Sequence, residues 1–268
     1  MGDPGATRHS RRRSFEEVAE LYDRARPVYP DSVFDDLVEL AGLAEGSRVL
    51  EIGCGTGQAT LSLAARGLEL VCVELGEGLA AIAGRRLAAF PSVGIANAAF
   101  ETWEPARAEF DAVAAFTAFH WIDSDMRYAK PARLLAPDGA LAVVDTKHVL
   151  PSDGDEFWVE VQADYDAVVP SDGNRPPPHP DDVSDRLLEF EAAGFRSVSV
   201  RRHLWDVTYG SDEYLGVLGT YSGNLALDPG TRRSLFERIH ARVEAAPGRS
   251  VRKTYLATLT VGLRPRLG

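Results

Sequence analysis

The chain has 268 residues, 45% of them hydrophobic, which is enough for one large domain or for a core with an inserted cap. Its formal net charge of -11 repels phosphates on average and argues against nucleic acid and anionic membranes as partners. No apolar run approaches the roughly 18 residues of a membrane-spanning helix, and no Cys/His spacing suits a metal.

In chain order, Arg8, Arg11, Arg12 and Arg13 lack a following apolar stretch, so residues 1–13 are expected to be a disordered basic arm and not a secretory signal. Residues 14–268 are expected to form a single domain. Ser14 is a candidate N-cap for a helix carrying Phe15, Val18, Ala19 and Tyr22 on one side, which ends at Arg26-Pro27 because the residue before proline resists the α region. Pro30-Asp31-Ser32 starts a second helix through about Ala41, and Gly42 to Ser47 forms a turn. Strand–helix alternation follows: strand 48–53, helix 57–66, strand 68–74, helix 77–89, strand 93–97, strand 110–116, helix 124–135 and strand 140–146. Residues 150–180 break the rhythm, with a short acidic and aromatic helix and then a proline-rich ordered loop. A helix over 181–193 is capped by Gly194, a strand covers 195–206, residues 211–246 are helical with a break at Asp228-Pro229-Gly230, and a last strand covers 251–263. The pattern predicts an α/β fold: a doubly wound, mostly parallel, seven-stranded Rossmann-like sheet with a helical cap inserted near the C-terminus. Both cysteines, Cys54 and Cys72, fall in core strand or turn positions and suit free thiols in a reducing cytoplasm.

The most informative stretch is Val49-Leu50-Glu51-Ile52-Gly53-Cys54-Gly55-Thr56-Gly57-Gln58, a β-prone run ending in Gly-x-Gly-x-Gly before a helix. Such a turn brings backbone N–H groups close to a polar ligand. Glu51 inside the strand is wrong for a phosphate and right for a cation. Glu74 ends the next strand, where an acid accepts hydrogen bonds from ribose hydroxyls. A dinucleotide fingerprint would place the third glycine one residue later.

This run resembles the first motif of class I methyltransferases, which bind S-adenosylmethionine. The resemblance extends from about Phe15 to the end. It implies that Gly53, Gly55, Gly57, Gln58, Glu74 and Leu75 surround the cofactor, that Ala99 to Trp103, with Phe100 and Glu101, flank the adenine, and that Thr117 and Ala118 line the methionine moiety. The family often has an Asp near the place of Phe100. The segment Tyr22 to Pro30 looks like the N-terminal lid of the small-molecule branch that includes trans-aconitate methyltransferase-like proteins. Tyr22 and Arg26 match its closing residues, and a guanidinium can hold the methionine carboxylate in bidentate fashion. The competing reading makes Arg24 and Arg26 solvated helix charges. Phe119-His120-Trp121 also recurs in that branch. Residues 14–46 are thus the expected helical lid, with 150–180 and 211–246 as cap and acceptor-pocket insertions.

Methyl transfer from a sulfonium needs alignment above all, so a catalytic side chain is not obligatory. His120, just past the fourth strand, is the first candidate for a general base, and His148, just past the fifth, is the second. A structural ring beside the cofactor is the competing reading of His120. The acceptor, a small molecule, is expected to meet Trp121, Trp158, Tyr214, Tyr221 and Ser222, although aromatics at helical spacing also build cores. No Asn/Asp-Pro-Pro-Tyr motif or acidic metal triad is present, and no metal is expected. A non-catalytic S-adenosylmethionine-binding protein is the alternative, and a nicotinamide oxidoreductase a weaker one.

Overall fold

The computed structural model describes residues 19–107, 109–151, 153–170 and 175–265. The expected arm over 1–13, and Ser14, Phe15 and Val18 of the first helix, lie outside the described residues. The described chain runs α1 (Ala19–Ala25), α2 (Asp31–Leu40), β1 (Arg48–Ile52), α3 (Gln58–Ala64), β2 (Glu69–Glu74), α4 (Glu77–Arg86), β3 (Val93–Asn97) and β4 (Phe110–Phe116). It continues with α5 (Ala129–Leu134), β5 (Leu135–Val149), α6 (Glu156–Glu160), α7 (Gln162–Val168), α8 (Leu187–Ala192) and β6 (Arg196–Gly210). The last elements are α9 (Ser211–Leu218), α10 (Ser222–Leu225), α11 (Pro229–Ala245) and β7 (Ser250–Leu263).

The seven strands form one sheet in the order β3-β2-β1-β4-β5-β7-β6. β7 is antiparallel to both β5 and β6, and the other pairings are parallel. The central strands are buried on both faces, which is why they read as continuous apolar runs. In β1, Val49 joins the core under α2 and α3 with Phe34, Leu37 and Leu63, while Leu50 and Ile52 join the opposite core with Phe110, Leu134 and Phe190. A third core of Tyr214, Val217, Leu235, Ile239 and Val243 packs the helices between β6 and β7 onto Val251 and Tyr255. These helices stand where the cap was expected. α1 is wedged between α4 and α9. Ala19 packs with Leu79 and Ile82, and a Cβ added to Gly219 would lie 3.1 Å from Leu21 Cδ2, so the small residue admits the helix.

Several boundaries differ from expectation. The helix expected over 124–135 is confined to α5, because Met126 and Arg127 donate to the Asp123 carbonyl in a turn and Phe119–Trp121 form a 3-10 turn. The helix expected from 181 starts at Leu187, whose N–H is taken by Asp185 Oδ1 at 2.9 Å, and a separate 3-10 turn occupies Pro180–Asp182. β5 runs through Val149 and β6 through Gly210, each paired along β7 well beyond the expected strands of 140–146 and 195–206. A long antiparallel partner extends a strand past the point where its own apolar pattern fades. Residues 150–180 hold two helices instead of one, while Gly194, with φ of +85°, ends α8 as expected.

A single domain over 14–268 expects body and cap to unfold together. Leu63→Ala beneath the sheet and Leu235→Ala in the cap should each lower stability by about 2–5 kcal/mol within one shared urea transition. Two separate transitions would divide the cap from the sheet.

Candidate functional site

The turn after β1 is built by close approach. Gly53 has φ of +68°, and a Cβ there would lie 2.6 Å from the Ala118 Cβ, so the glycine lets the end of β4 touch the turn. Gly57, with φ of +80°, precedes α3 and would meet Leu87 Cδ1 at 3.0 Å, so its role is packing against α4. Glu74 holds the arrangement together. Its Oε2 accepts from Gly55 N at 2.9 Å and its Oε1 accepts from Gly76 N at 2.8 Å, joining the turns after β1 and β2.

Two adjoining cavities open along the carboxyl ends of the strands. The first, about 350 Å³, is lined by Tyr22, Arg26, Gly53, Gly55, Glu74, Leu75, Phe100, Glu101, Thr117, Ala118, His120, Trp121, Tyr221 and Ser222. The second, about 290 Å³, shares Tyr22, Arg26, Gly53, Gly55, Phe116, Thr117 and Tyr221 with it and adds Glu51, Gln58 and His148. Most residues singled out in the sequence therefore meet in one place. Gly57 lines neither cavity, and Trp158 and Tyr214 line only a third one of about 300 Å³. Trp158 is 2% exposed, its Nε1 donates to the Arg252 carbonyl at 3.1 Å, and its ring meets Phe157 and Tyr214 edge-on. Both aromatics serve the cap core, which is where helical spacing ordinarily sends them.

α1 delivers Arg26 to the seam between the cavities. Its guanidinium carbon lies 4.8 Å from the ring centres of both Tyr22 and Tyr221, and Nη2 donates to the Thr220 carbonyl at 3.3 Å. Arg26 Nε is buried with no hydrogen-bond partner among the described residues. Arg24, by contrast, is exposed and lies 3.8 Å from Glu20. Gln58 Nε2 donates to the Asp23 carbonyl at 3.0 Å, and Asp23 pairs with Arg86 at 2.6 Å, so the segment is tied to α3 and α4.

Glu51 is 1% exposed, and its Oε2 accepts from Thr60 Oγ1 at 2.6 Å. Burial, with a smaller push from Glu74, raises its pKa to about 7. Thr117 follows β4 with φ of +53°, a strained value for a β-branched residue. Its hydroxyl shares a 2.7 Å hydrogen bond with Tyr29 and donates to Thr146 at 3.2 Å. Burial raises the Tyr29 phenol to about 12, so it stays protonated. His120 sits at the rim, 4.8 Å from the Trp121 ring centre. Desolvation lowers its pKa against the pull of Asp145, leaving a neutral imidazole at pH 7. Burial first and Lys253 second push His148 down to about 2, which leaves a poor base able to hydrogen-bond.

The sequence reading missed Tyr29, Thr146, Trp205, Lys253 and Tyr255, all of which line the second cavity. The signal for Lys253 was present, since it is a lysine inside a strand that otherwise reads as buried.

A raised carboxyl pKa stabilises the fold below the unfolded value and loses that contribution as pH rises through the folded value. Glu51→Gln should therefore gain stability over the parent between pH 5 and pH 8, by up to about 3 kcal/mol, in thermal melts across that range. A difference independent of pH would show that Glu51 is not held protonated.

Comparison with known proteins bears on the family and the fold. A methyltransferase domain model matches residues 49–139. The chain is 34% identical over 132 residues to an uncharacterized methyltransferase of Mycobacterium tuberculosis, a match covering 49% of this chain and 51% of that protein. It thus spans about half the length of that relative. It is 32% identical over 198 residues to the malonyl-[acyl-carrier protein] O-methyltransferase of Geobacter sulfurreducens, covering 70% of this chain and 71% of that protein. A putative type II methyltransferase from Anaeromyxobacter dehalogenans superposes with a TM-score of 0.62 at 27% identity, over 90% of this chain and 99% of its own. By sequence and by fold, the chain belongs to the class I S-adenosylmethionine-dependent methyltransferases.

Proposed function

We propose that the chain binds S-adenosylmethionine across the two cavities and transfers its methyl group to a small-molecule acceptor. One observation carries the reading: Arg26 and Glu74 line one cavity, a guanidinium with an unpartnered Nε and a carboxylate held at a strand end. That pair matches a ligand with a carboxylate at one end and ribose hydroxyls at the other. The buried, partnered side chains fit the cofactor on chemical grounds. Glu74 accepts from the ribose while its own position is kept by Gly55 and Gly76. Leu75, Phe100 and Glu101 flank the adenine. Gly53 and Gly55 let backbone approach the methionine moiety beside Thr117 and Ala118. Arg26, stiffened between two tyrosine rings, takes the methionine carboxylate. Tyr22 and Gln58 hold the lid segment over it, and the cationic end of the ligand draws Glu51 towards its ionised form.

When bound, the cofactor supplies an electrophilic methyl on a sulfonium. The chain's residues align the acceptor and exclude water, which can account for about 7–11 kcal/mol of the barrier. His120, neutral at pH 7 and at the rim of the first cavity, takes a proton from the acceptor at a ring nitrogen. Trp121 and Tyr221 position the acceptor. His148 contributes a hydrogen bond and not a base. The buried thiols of Cys54 and Cys72 suit a reducing cytoplasm.

Calorimetry with S-adenosylhomocysteine tests the cofactor site. Arg26→Ala and Glu74→Ala should each weaken binding at least about tenfold, near 1.4 kcal/mol. Unchanged affinity in both variants would misplace the site. His120→Ala should keep cofactor affinity and lose about 10²–10⁴ in rate across an acceptor panel scored by S-adenosylhomocysteine release. The parent's rate should fall on an acid limb below pH 6.5, because the histidine pKa is lowered. A full rate in the variant refutes the base. Tight cofactor binding with no turnover on any acceptor would favour a non-catalytic binder.

A further inference from the structure

Lys253 stands out as a buried cation that no carboxylate balances. It projects from β7 and is 1% exposed. Its ammonium donates to the Tyr221 hydroxyl at 2.9 Å. The rings of Tyr221, Tyr255, Tyr214 and Trp158 surround it at 5.1, 5.4, 5.5 and 5.7 Å. Burial raises the pKa of Tyr221, but Lys253 and Arg26 outweigh it and hold the phenol below its ordinary value.

Among the described residues, the other buried lysine and the half-buried Arg186 are balanced. Lys130, 3% exposed, lies 3.2 Å from Glu104 Oε1 and donates to the Glu101 carbonyl at 3.2 Å. Arg186 pairs with Asp145 at 2.5 Å and with Glu189 at 2.9 Å. Among the described residues, no carboxylate lies within 4.0 Å of Lys253 Nζ. Withdrawing an ammonium from water without a counter-charge is costly, and aromatic faces recover only part of that cost. A site that keeps such a lysine is organised for an anion that comes from outside.

The surroundings point the same way. Lys253 lines the second cavity together with His148 and Trp205. His148 Nε2 and Trp205 Nε1 are both buried and without hydrogen-bond partners among the described residues. Lys147 adds positive charge to the same wall. The nearest acid lining this cavity is Glu51 on β1, and β4 and β5 stand between β1 and β7 in the sheet. Three strand spacings make that roughly 14 Å. The cavity is thus polarised, with its acid at the glycine turn and its unmatched donors at β5, β6 and β7.

We propose that the methyl acceptor is a small organic acid in its ionised form, with its carboxylate seated on Lys253 Nζ between the His148 and Trp205 ring nitrogens. This rests on the methyl-transfer reading, which assigns the first cavity, apart from its His120 and Trp121 rim, and the glycine-turn end of the second to the cofactor. Lys253 then acts by recognition. It selects anionic acceptors and rejects amines, which would meet Lys147, Lys253 and Arg26 as like charges.

The test uses the full chain saturated with S-adenosylhomocysteine, so that Arg26 is engaged before any probe is added. Monocarboxylates from acetate to 3-phenylpropionate are titrated against their primary amides and the corresponding amines, by calorimetry and ligand-observed NMR. We expect the best carboxylate to bind at least tenfold tighter than its amide, with no binding by the amine. Lys253→Met should remove at least tenfold of the carboxylate affinity and leave the affinity for S-adenosylhomocysteine within twofold. Equal binding of carboxylate and amide to the parent protein overturns the proposal, even if the variant does not fold. So does a folded Lys253→Met protein with undiminished carboxylate binding. Absence of S-adenosylhomocysteine binding at the first step is a different failure, because it removes the methyl-transfer reading and this inference with it.

Discussion

The two hydrogen bonds that Glu74 accepts, from Gly55 and from Gly76, set the geometry on which the rest of the site depends. Each pairs a charged acceptor with a backbone donor, the stronger kind of hydrogen bond. Together they fix the distance between the turns after β1 and β2. With those turns fixed, Gly53 can meet Ala118 at the end of β4, and three adjacent strand ends share one wall. The same carboxylate lines the first cavity, so the group that organises the wall also presents acceptor capacity to a ligand.

The opposite wall comes from outside the alternating strands and helices. The described part of α1 packs on α4 and α9, and tertiary packing of this kind orders a helix more than its own propensity does. Gly216 of α9 and Gly219 just past it admit Leu21 and Ala25, which brings Arg26 against Tyr221 of the cap. The N-terminal segment and the helices between β6 and β7 are thus coupled through one guanidinium held between two phenol rings. Movement of either element would disturb both cavities.

Several groups here are poorly placed for stability alone. Glu51 is buried with one hydroxyl donor, Thr117 is held at positive φ, Arg26 Nε lacks a partner, and Lys253 is enclosed by rings without a counter-ion. Arg26 Nε departs from the rule that buried polar groups are satisfied, Glu51 and Lys253 are buried ionisable groups without an ion partner, and Thr117 carries backbone strain. They cluster along the carboxyl edge of the sheet, whereas buried Lys130 and half-buried Arg186 are paired with carboxylates.

By itself the sequence determined the sheet and its glycine turn. Local patterns suffice there, since doubly buried parallel strands read as apolar runs and the turn needs glycines at set spacings. Glu51, Glu74, Tyr22 and Arg26 were legible for the same reason, each standing at a fixed offset from a turn or a helix end. Helix starts near Ala129 and Leu187 were less legible, because the side chain of Asp185 and a turn at Asp123 competed with helical periodicity. Trp158 and Tyr214 could be read only as aromatics at helical spacing, a pattern that serves core and pocket alike. The tertiary structure alone decided that they fill the cap core while Tyr29, Trp205, Lys253 and Tyr255 reach the cavity. Those four come from the N-terminal segment and from β6 and β7, far apart in the chain. Antiparallel insertion of β7 between β5 and β6 brings the last three together. Strand pairing of that kind depends on long-range register, which no local pattern of residues encodes.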